Sequence, residues 1–165
     1  MRHLELFAGI GGFRRAMDLL TQDHIMNFHC VGYSEIDPKA VRTYCANYHP
    51  NEDDEVVMGD IVEFTKDIDK IANLPKFDLV TGGFPCQTFS MMGKQAGFKE
   101  NRGQMFFHII DILRIRRPRY VLLENVKNLK NHDKGRTYAR IKTELEALAI
   151  VSLQTYSIRQ IFTFL

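Results

Sequence analysis

The chain has 165 residues, 45% of them hydrophobic and 25% charged, with a net charge of +2, which suits one ordinary globular domain with a sizeable core. Its apolar stretches are too short and too broken by charge to span a bilayer, and Met1 to Glu5 lacks the apolar run of a secretory signal, so a cytoplasmic protein is expected. Cys30, Cys45 and Cys86 contain no CxxC pair, which argues against a disulfide framework or a cysteine-rich zinc site; no metal is expected.

His3 to Phe7 reads as a first strand, and Glu5-Leu6-Phe7-Ala8-Gly9-Ile10-Gly11-Gly12-Phe13 carries it into a helix. Glycines at such a turn let the backbone bend sharply and meet a ligand with no side chain between. A nucleotide-like ligand is the preferred reading over an empty tight turn. Phe13, Ala16, Met17 and Leu20 then recur at i, i+3, i+4, i+7, which predicts a helix with one buried stripe. His29 to Ser34 reads as a second strand. Glu35 ends it, 23 residues beyond Gly12, where an acid suits both hydroxyls of a ribose or serves as a helix-terminal charge. Asp37-Pro38 supplies a cap and a first-turn proline, and Val41, Tyr44, Cys45 and Tyr48 form a second stripe. That stripe makes Cys45 a core residue, and Cys30 in the second strand has the same explanation.

Val56 to Met58 is a short third strand leading to Asp60 and a helix through about Asn73. Asp60 suits an adenine amino group, or the cap of that helix, since Asp60-x-x-Glu63 fits a capping box. Phe77 to Thr81 reads as a fourth strand, followed by Gly82-Gly83-Phe84-Pro85-Cys86-Gln87. A cysteine just past a strand end, after two glycines and a proline, is held accessible in a stiff turn, so Cys86 reads as a reactive thiol. Gln104 to Arg117 looks helical and is stopped by Pro118. Tyr120 to Leu123 is a fifth strand, closed by Glu124-Asn125-Val126. An acid closing an apolar strand needs a task or a partner, and partial burial lets Glu124 hold a proton near neutral pH. A buried structural carboxylate is the alternative. Tyr138, Ile141, Leu145 and Leu148 mark a last helix. Strand and helix alternating in this way predict an α/β, doubly wound, mostly parallel sheet, with its chemistry at the carboxyl ends of the strands.

Charge is unevenly spread. Asn51 to Asp78 holds nine acids against three lysines, whereas Arg114 to Lys142 holds ten lysines and arginines against Glu124 and Asp133. A basic second half is what a polyanion-binding face shows, and a solvated helix surface explains the charge count equally well.

Taken together, Leu6-Phe7-Ala8-Gly9-Ile10-Gly11-Gly12, Glu35, Gly59-Asp60-Ile61, Gly83-Phe84-Pro85-Cys86-Gln87 and Glu124-Asn125-Val126 closely resemble the DNA cytosine-C5 methyltransferase family, in its order and approximate spacing. The resemblance runs from the start to about Leu148. It implies a Rossmann-like, S-adenosylmethionine-dependent methyltransferase domain over residues 1–148, with S-adenosylhomocysteine as product. Phe7, Ala8, Gly9, Gly11, Gly12, Glu35, Ile36, Asp60, Ile61 and Met105 would hold the cofactor. Phe7, Ile36, Ile61 and Met105 would supply apolar walls, although core packing accounts for each of them as well. Cys86 would attack C6 of a cytosine flipped from the duplex, and Glu124 would bind its N3 edge, with Pro85, Gln87 and Asn125 completing the catalytic motifs. Residues 87–103 would form a loop closing on DNA, with Gln87, Ser90, Lys94 and Arg102 touching phosphates.

Residues 149–165 depart from the family. There the resemblance calls for a strand and then a Gln-x-Arg-x-Arg segment, a target-recognition region and a C-terminal helix bracing the cofactor site. Ser157-Ile158-Arg159-Gln160-Ile161 does not match, and Arg159 is the only charge in this stretch. The apolar tail suits extra strands or, left exposed, self-association into a homo-oligomer. The expectation is a chain that is incomplete alone. It fits a truncated or frame-disrupted gene, a shortened piece, or a split enzyme whose second polypeptide supplies the target-recognition region. Double-stranded DNA is the expected partner and a membrane is not, in a bacterial or phage restriction-modification setting. Two alternatives remain, an RNA cytosine methyltransferase and a non-catalytic fragment that binds cofactor or self-associates.

Overall fold

The computed structural model describes residues 1–51, 53–85 and 105–148, together with the backbone of 153–157 and 160–164. Five parallel strands form its centre: β1 (Arg2–Leu6), β2 (His29–Tyr33), β3 (Val56–Val57), β4 (Leu79–Gly83) and β5 (Tyr120–Val126). An antiparallel pair, β6 (Leu153–Ser157) and β7 (Gln160–Phe164), extends them into one sheet ordered β3-β2-β1-β4-β5-β7-β6. The doubly wound arrangement expected from the sequence is present. Strand order reverses between β1 and β4, the switch point at which such sheets bind ligands. The tail adds two strands to the five expected, with β7 lying antiparallel to β5 and Glu124 opposite Phe162.

Among the described residues, six α-helices connect the strands: α1 (Gly12–Gln22), α2 (Pro38–Tyr48), α3 (Ile61–Thr65), α4 (Ile68–Ala72), α5 (Met105–Arg116) and α6 (Arg136–Glu146). The start of α2 is the one the sequence announced, with Asp37 accepting from the Lys39 amide at 2.8 Å and Pro38 in the first turn. The single helix expected from Asp60 to Asn73 is instead two. Asp67 adopts extended backbone and accepts from the Asp69 and Lys70 amides, which caps a new helix and ends the old one. Strand β4 begins two residues later than expected, although Asp78 just before it already bonds to both neighbours, its amide donating to the Arg2 carbonyl at 2.9 Å and its carbonyl accepting from the Tyr120 amide at 2.8 Å.

One face of the sheet is thoroughly covered. Phe106, Ile109, Ile110, Ile112 and Leu113 of α5 are all buried and join Leu4, Val31, Val80 and Val121 in the main core. The opposite face is covered unevenly. Of the stripe predicted for α1, only Met17 is buried, Phe13 and Leu20 are half-buried, and Ala16 is exposed. That stripe borders an open cleft. Cys30 is buried as expected, whereas Cys45 is half-buried with its thiol 3.6 Å from the Tyr33 hydroxyl. No helix among the described residues is long and apolar enough to cross a membrane.

Candidate active site

The glycine turn is built by left-handed backbone at Phe7 (φ 54°), Gly9 (φ 57°) and Gly11 (φ 91°). It is fastened to the end of β2. The Phe7 amide donates to Ser34 Oγ at 3.1 Å, the Ala8 amide to the Ser34 carbonyl at 2.9 Å, and the Gly9 amide to Glu35 Oε2 at 2.8 Å. Glu35 Oε1 accepts the Ile36 and Asp37 amides, each at 2.8 Å. Three of the roughly four lone-pair sites of the carboxylate are thus turned to backbone. Glu35 therefore organises two turns in addition to any contact with a ribose.

Gly11 shows why this position is glycine. A Cβ there would stand 2.1 Å from the Tyr48 ring, whose hydroxyl donates to the Gly11 carbonyl at 2.7 Å. Gly11→Ala is expected to cost about 1–3 kcal/mol, from the left-handed strain and the displaced ring. A lowered Tm measures it, and an unchanged Tm would show that the turn is slack.

Behind the turn lies a polar network that the sequence did not disclose. Glu5 is fully buried at the end of β1 and accepts from the Arg14 amide and the Tyr44 hydroxyl, both at 3.2 Å. Burial pushes its carboxyl up to about 7. Arg14, in the first turn of α1, donates to the Tyr44 oxygen at 3.1 Å and grips Glu55 through two bonds of 2.5 and 2.8 Å. Its guanidinium also stacks against the rings of Tyr44 and Tyr48, at 5.6 and 5.0 Å. Tyr44 and Tyr48 are apolar markers in a helical stripe, but here their hydroxyls tie α2 to the turn. Deeper still, His3 shares a 2.7 Å hydrogen bond with Thr81, and burial lowers its pKa to about 3.

At the other side of the switch point, β4 and β5 run in register with Gly83 beside Glu124. A Cβ on Gly83 would meet Glu124 Oε2 at 3.1 Å, so the glycine makes room for the carboxylate. Glu124 is half-buried, and desolvation raises its pKa. Asn125 is buried. Its Nδ2 donates to the Phe84 carbonyl at 2.6 Å, and its Oδ1 accepts the Val126 amide at 2.9 Å. This links the end of β5 to the Phe84-Pro85 segment, on which Pro85 is exposed. Cys86, Gln87, Ser90, Lys94 and Arg102 lie outside the described residues.

The remaining candidates divide. Exposed Asp60 caps α3 by accepting the Val62 amide at 2.8 Å, while Glu63 turns to Lys66 at 2.5 Å instead of completing a capping box. Ile36 is 66% exposed, and Ile61, at 3%, is packed in the core. Met105 is half-buried at the start of α5. An open cleft of about 1070 Å³ has Phe7, Ala8, Ile10, Gly12, Gly83 and Glu124 in its lining. It brings the glycine turn and the β5 carboxylate together, with Glu35 and Asp60 outside it after β2 and β3.

Residues 1–154 match the model of the C-5 cytosine-specific DNA methylase family. Type II methyltransferase M.HpaII of Haemophilus parainfluenzae is 46% identical over 147 residues, which is 88% of this chain and 36% of that protein. The orphan methyltransferase M.Rho11sI of Bacillus phage rho11s is 43% identical over 137 residues, 83% of this chain and 25% of that protein. Among solved structures, S. pombe Dnmt2 methyltransferase superposes with a TM-score of 0.70 at 19% identity, covering 99% of this chain and 48% of that one, a likeness of fold. The chain spans between 25% and 42% of the length of these and similar curated relatives.

Proposed function

Because the chain belongs to the C-5 cytosine-specific DNA methylase family, we propose that it carries the cofactor-binding and catalytic part of an enzyme that methylates C5 of cytosine in double-stranded DNA. The observation that carries the reading is the cleft itself, which is lined by both the glycine turn after β1 and the raised-pKa Glu124 of β5. A bacterial or phage restriction-modification role in the cytoplasm follows from the same reading. So does a second region, in the same or another polypeptide, that reads the DNA sequence.

S-adenosylmethionine fits the residues present. Gly9 and Gly12 face open space, Gly12 lines the cleft, and carboxylates stand after β2 and β3. Phe7, Ala8, Gly9, Gly11 and Gly12 would hold it with Glu35, Ile36, Asp60, Ile61 and Met105, and when bound it supplies the methyl group. Cys86 serves as nucleophile. Its thiolate adds to C6 of a cytosine taken out of the stack, which converts an unreactive ring into an enamine at C5. Glu124 holds its proton to a higher pH than an ordinary carboxyl, so it can share that proton with N3 as negative charge develops on the ring. Asn125 positions the Phe84-Pro85 segment that leads into Cys86. Loss of the C5 proton and expulsion of Cys86 close the cycle.

The test is calorimetry with S-adenosylmethionine on the purified chain and on Glu35→Ala. Binding in the micromolar range or tighter, weakened by the substitution by about tenfold or more, supports the reading. A folded chain that binds no cofactor argues against it.

A further inference from the structure

The ten basic residues between Arg114 and Lys142 are close in sequence, but the fold separates them, four at the amino end of the sheet, three at the carboxyl end and three, Arg136, Arg140 and Lys142, on α6. Arg114, Arg116, Arg117 and Arg119 sit where α5 leads into β5, at the amino end. Several are committed to the fold there. Arg114 pairs with Asp111, Arg116 donates to the Ala72 and Pro75 carbonyls and lies over the Phe77 ring, and Arg119 lies over Tyr120. Lys127, Lys130 and Lys134 follow β5 at the carboxyl end, the edge that carries Glu124 and the glycine turn.

These lysines stand on a ledge after β5, a 3-10 turn at Lys127–Lys130 followed by a kinked turn at His132–Gly135 in which Asp133 and Lys134 take left-handed backbone (φ 50° and 56°). Leu129 anchors it in the core at 4% exposure, and His132 shares a 2.7 Å hydrogen bond with Thr137 of α6. Asp133, the one acid on the ledge, is paired with Arg136. Lys127, Lys130 and Lys134 are all exposed and bring three positive charges to this edge. Lys127 is three residues beyond Glu124, within about 10 Å along an extended strand. Among the described residues of the same edge, the ends of β2 and β3 are acidic instead, with Glu35, Asp37 and Asp60.

We propose that Lys127, Lys130 and Lys134 form a phosphate-binding ledge that holds the backbone of duplex DNA beside Glu124, while the arginines at the amino end make no DNA contact. The proposal rests on the methyltransferase reading for the identity of the polyanion. Each phosphate neutralised releases counterions, so these lysines should account for much of the salt dependence of binding.

The experiment is fluorescence anisotropy of a labelled duplex titrated with the purified chain at several salt concentrations. It compares the parent chain with Lys127→Gln/Lys130→Gln/Lys134→Gln and with Arg114→Gln/Arg117→Gln/Arg119→Gln, all checked by circular dichroism. The lysine triple is expected to weaken binding by about tenfold or more at low salt and to reduce the log–log salt slope by about 2–3. The arginine triple is expected to stay within about twofold of the parent. A lysine triple that binds like the parent, or an arginine triple that loses as much, overturns the ledge; so does a parent chain that binds no duplex. Cofactor calorimetry on the same samples keeps the two readings apart. Cofactor binding with lysine-indifferent duplex binding defeats the ledge alone, whereas lysine-dependent duplex binding without cofactor binding leaves the ledge and defeats the methyltransferase site.

Discussion

Replacing Arg14 with alanine is expected to lower the unfolding free energy by about 3–5 kcal/mol, because it strands the Glu55 carboxylate without its partner in a buried site. The side chains of Arg14 and Glu55 are only 13% and 7% exposed. Tyr44 and Tyr48 also lose the cation stacked on them. Urea unfolding of Arg14→Ala, Glu55→Gln and the double variant measures the effect. A double variant less damaged than the sum of the singles shows coupling, and additive losses would mean that the pair is incidental.

The same network sets a pH dependence. Glu5 has a folded pKa of about 7, raised above its ordinary 4.5. The folded state therefore holds a proton that the unfolded chain releases, and the stability gained is present below 4.5 and lost as pH rises towards 7. His3 works in the opposite sense. Its pKa is lowered from 6.5 to about 3, so the stability from its neutral form is present above 6.5 and lost as pH falls towards 3. The two trends oppose one another between 4.5 and 6.5, where a broad plateau in stability is expected. Arg14, Tyr44 and the Phe13 amide face Glu5, and Arg14 faces His3. Glu5→Gln should remove the upper decline and leave a rise with pH; a profile identical to the parent's would show that Glu5 does not titrate in this range.

Glu124→Gln is expected to slow covalent trapping of a duplex bearing 5-fluorocytosine by about 10²–10⁴-fold, the usual worth of a positioned acid or base. Glutamine fills the space over Gly83 but carries no titratable proton. Cofactor affinity should change little, since the residues proposed to hold the cofactor are unaltered. For the parent, the rate should fall as pH rises through the raised pKa of Glu124, and the variant should lack that limb. Equal loss of cofactor binding would instead mark Glu124 as a support of the cleft wall.

Much of the architecture was legible because it depends on local pattern. The strands, the Asp37-Pro38 cap and the turn glycines announce themselves within a few residues. What escaped depends on partners distant in sequence. Arg14 looks like an ordinary exposed helix residue until Glu55, 41 positions away, comes beside it. Tyr44 and Tyr48 fit an apolar stripe, and nothing local reveals that their hydroxyls are used. The α1 stripe misled in the other direction. Its spacing predicts burial, yet the described residues leave Ala16 exposed beside the cleft. Asp67 was hidden among neighbouring acids, so its restart of the helix went unread. At the site, Glu124 was found because a charge ending an apolar strand is costly, whereas Asn125 came only with a motif, and its bond to Phe84 needed three dimensions.

The pairing of Gly83 with Glu124, and the Asn125 tie to Phe84, have a consequence for how such an enzyme can vary. Gly83 and Glu124 belong to neighbouring strands of one ladder, so the spacing between the end of β4 and the Glu124 carboxylate is ruled by hydrogen-bond pitch. The Asn125 tie to Phe84 fixes where the chain leaves β4 on its way to Cys86, so a substitution at Asn125 would misplace both motifs together.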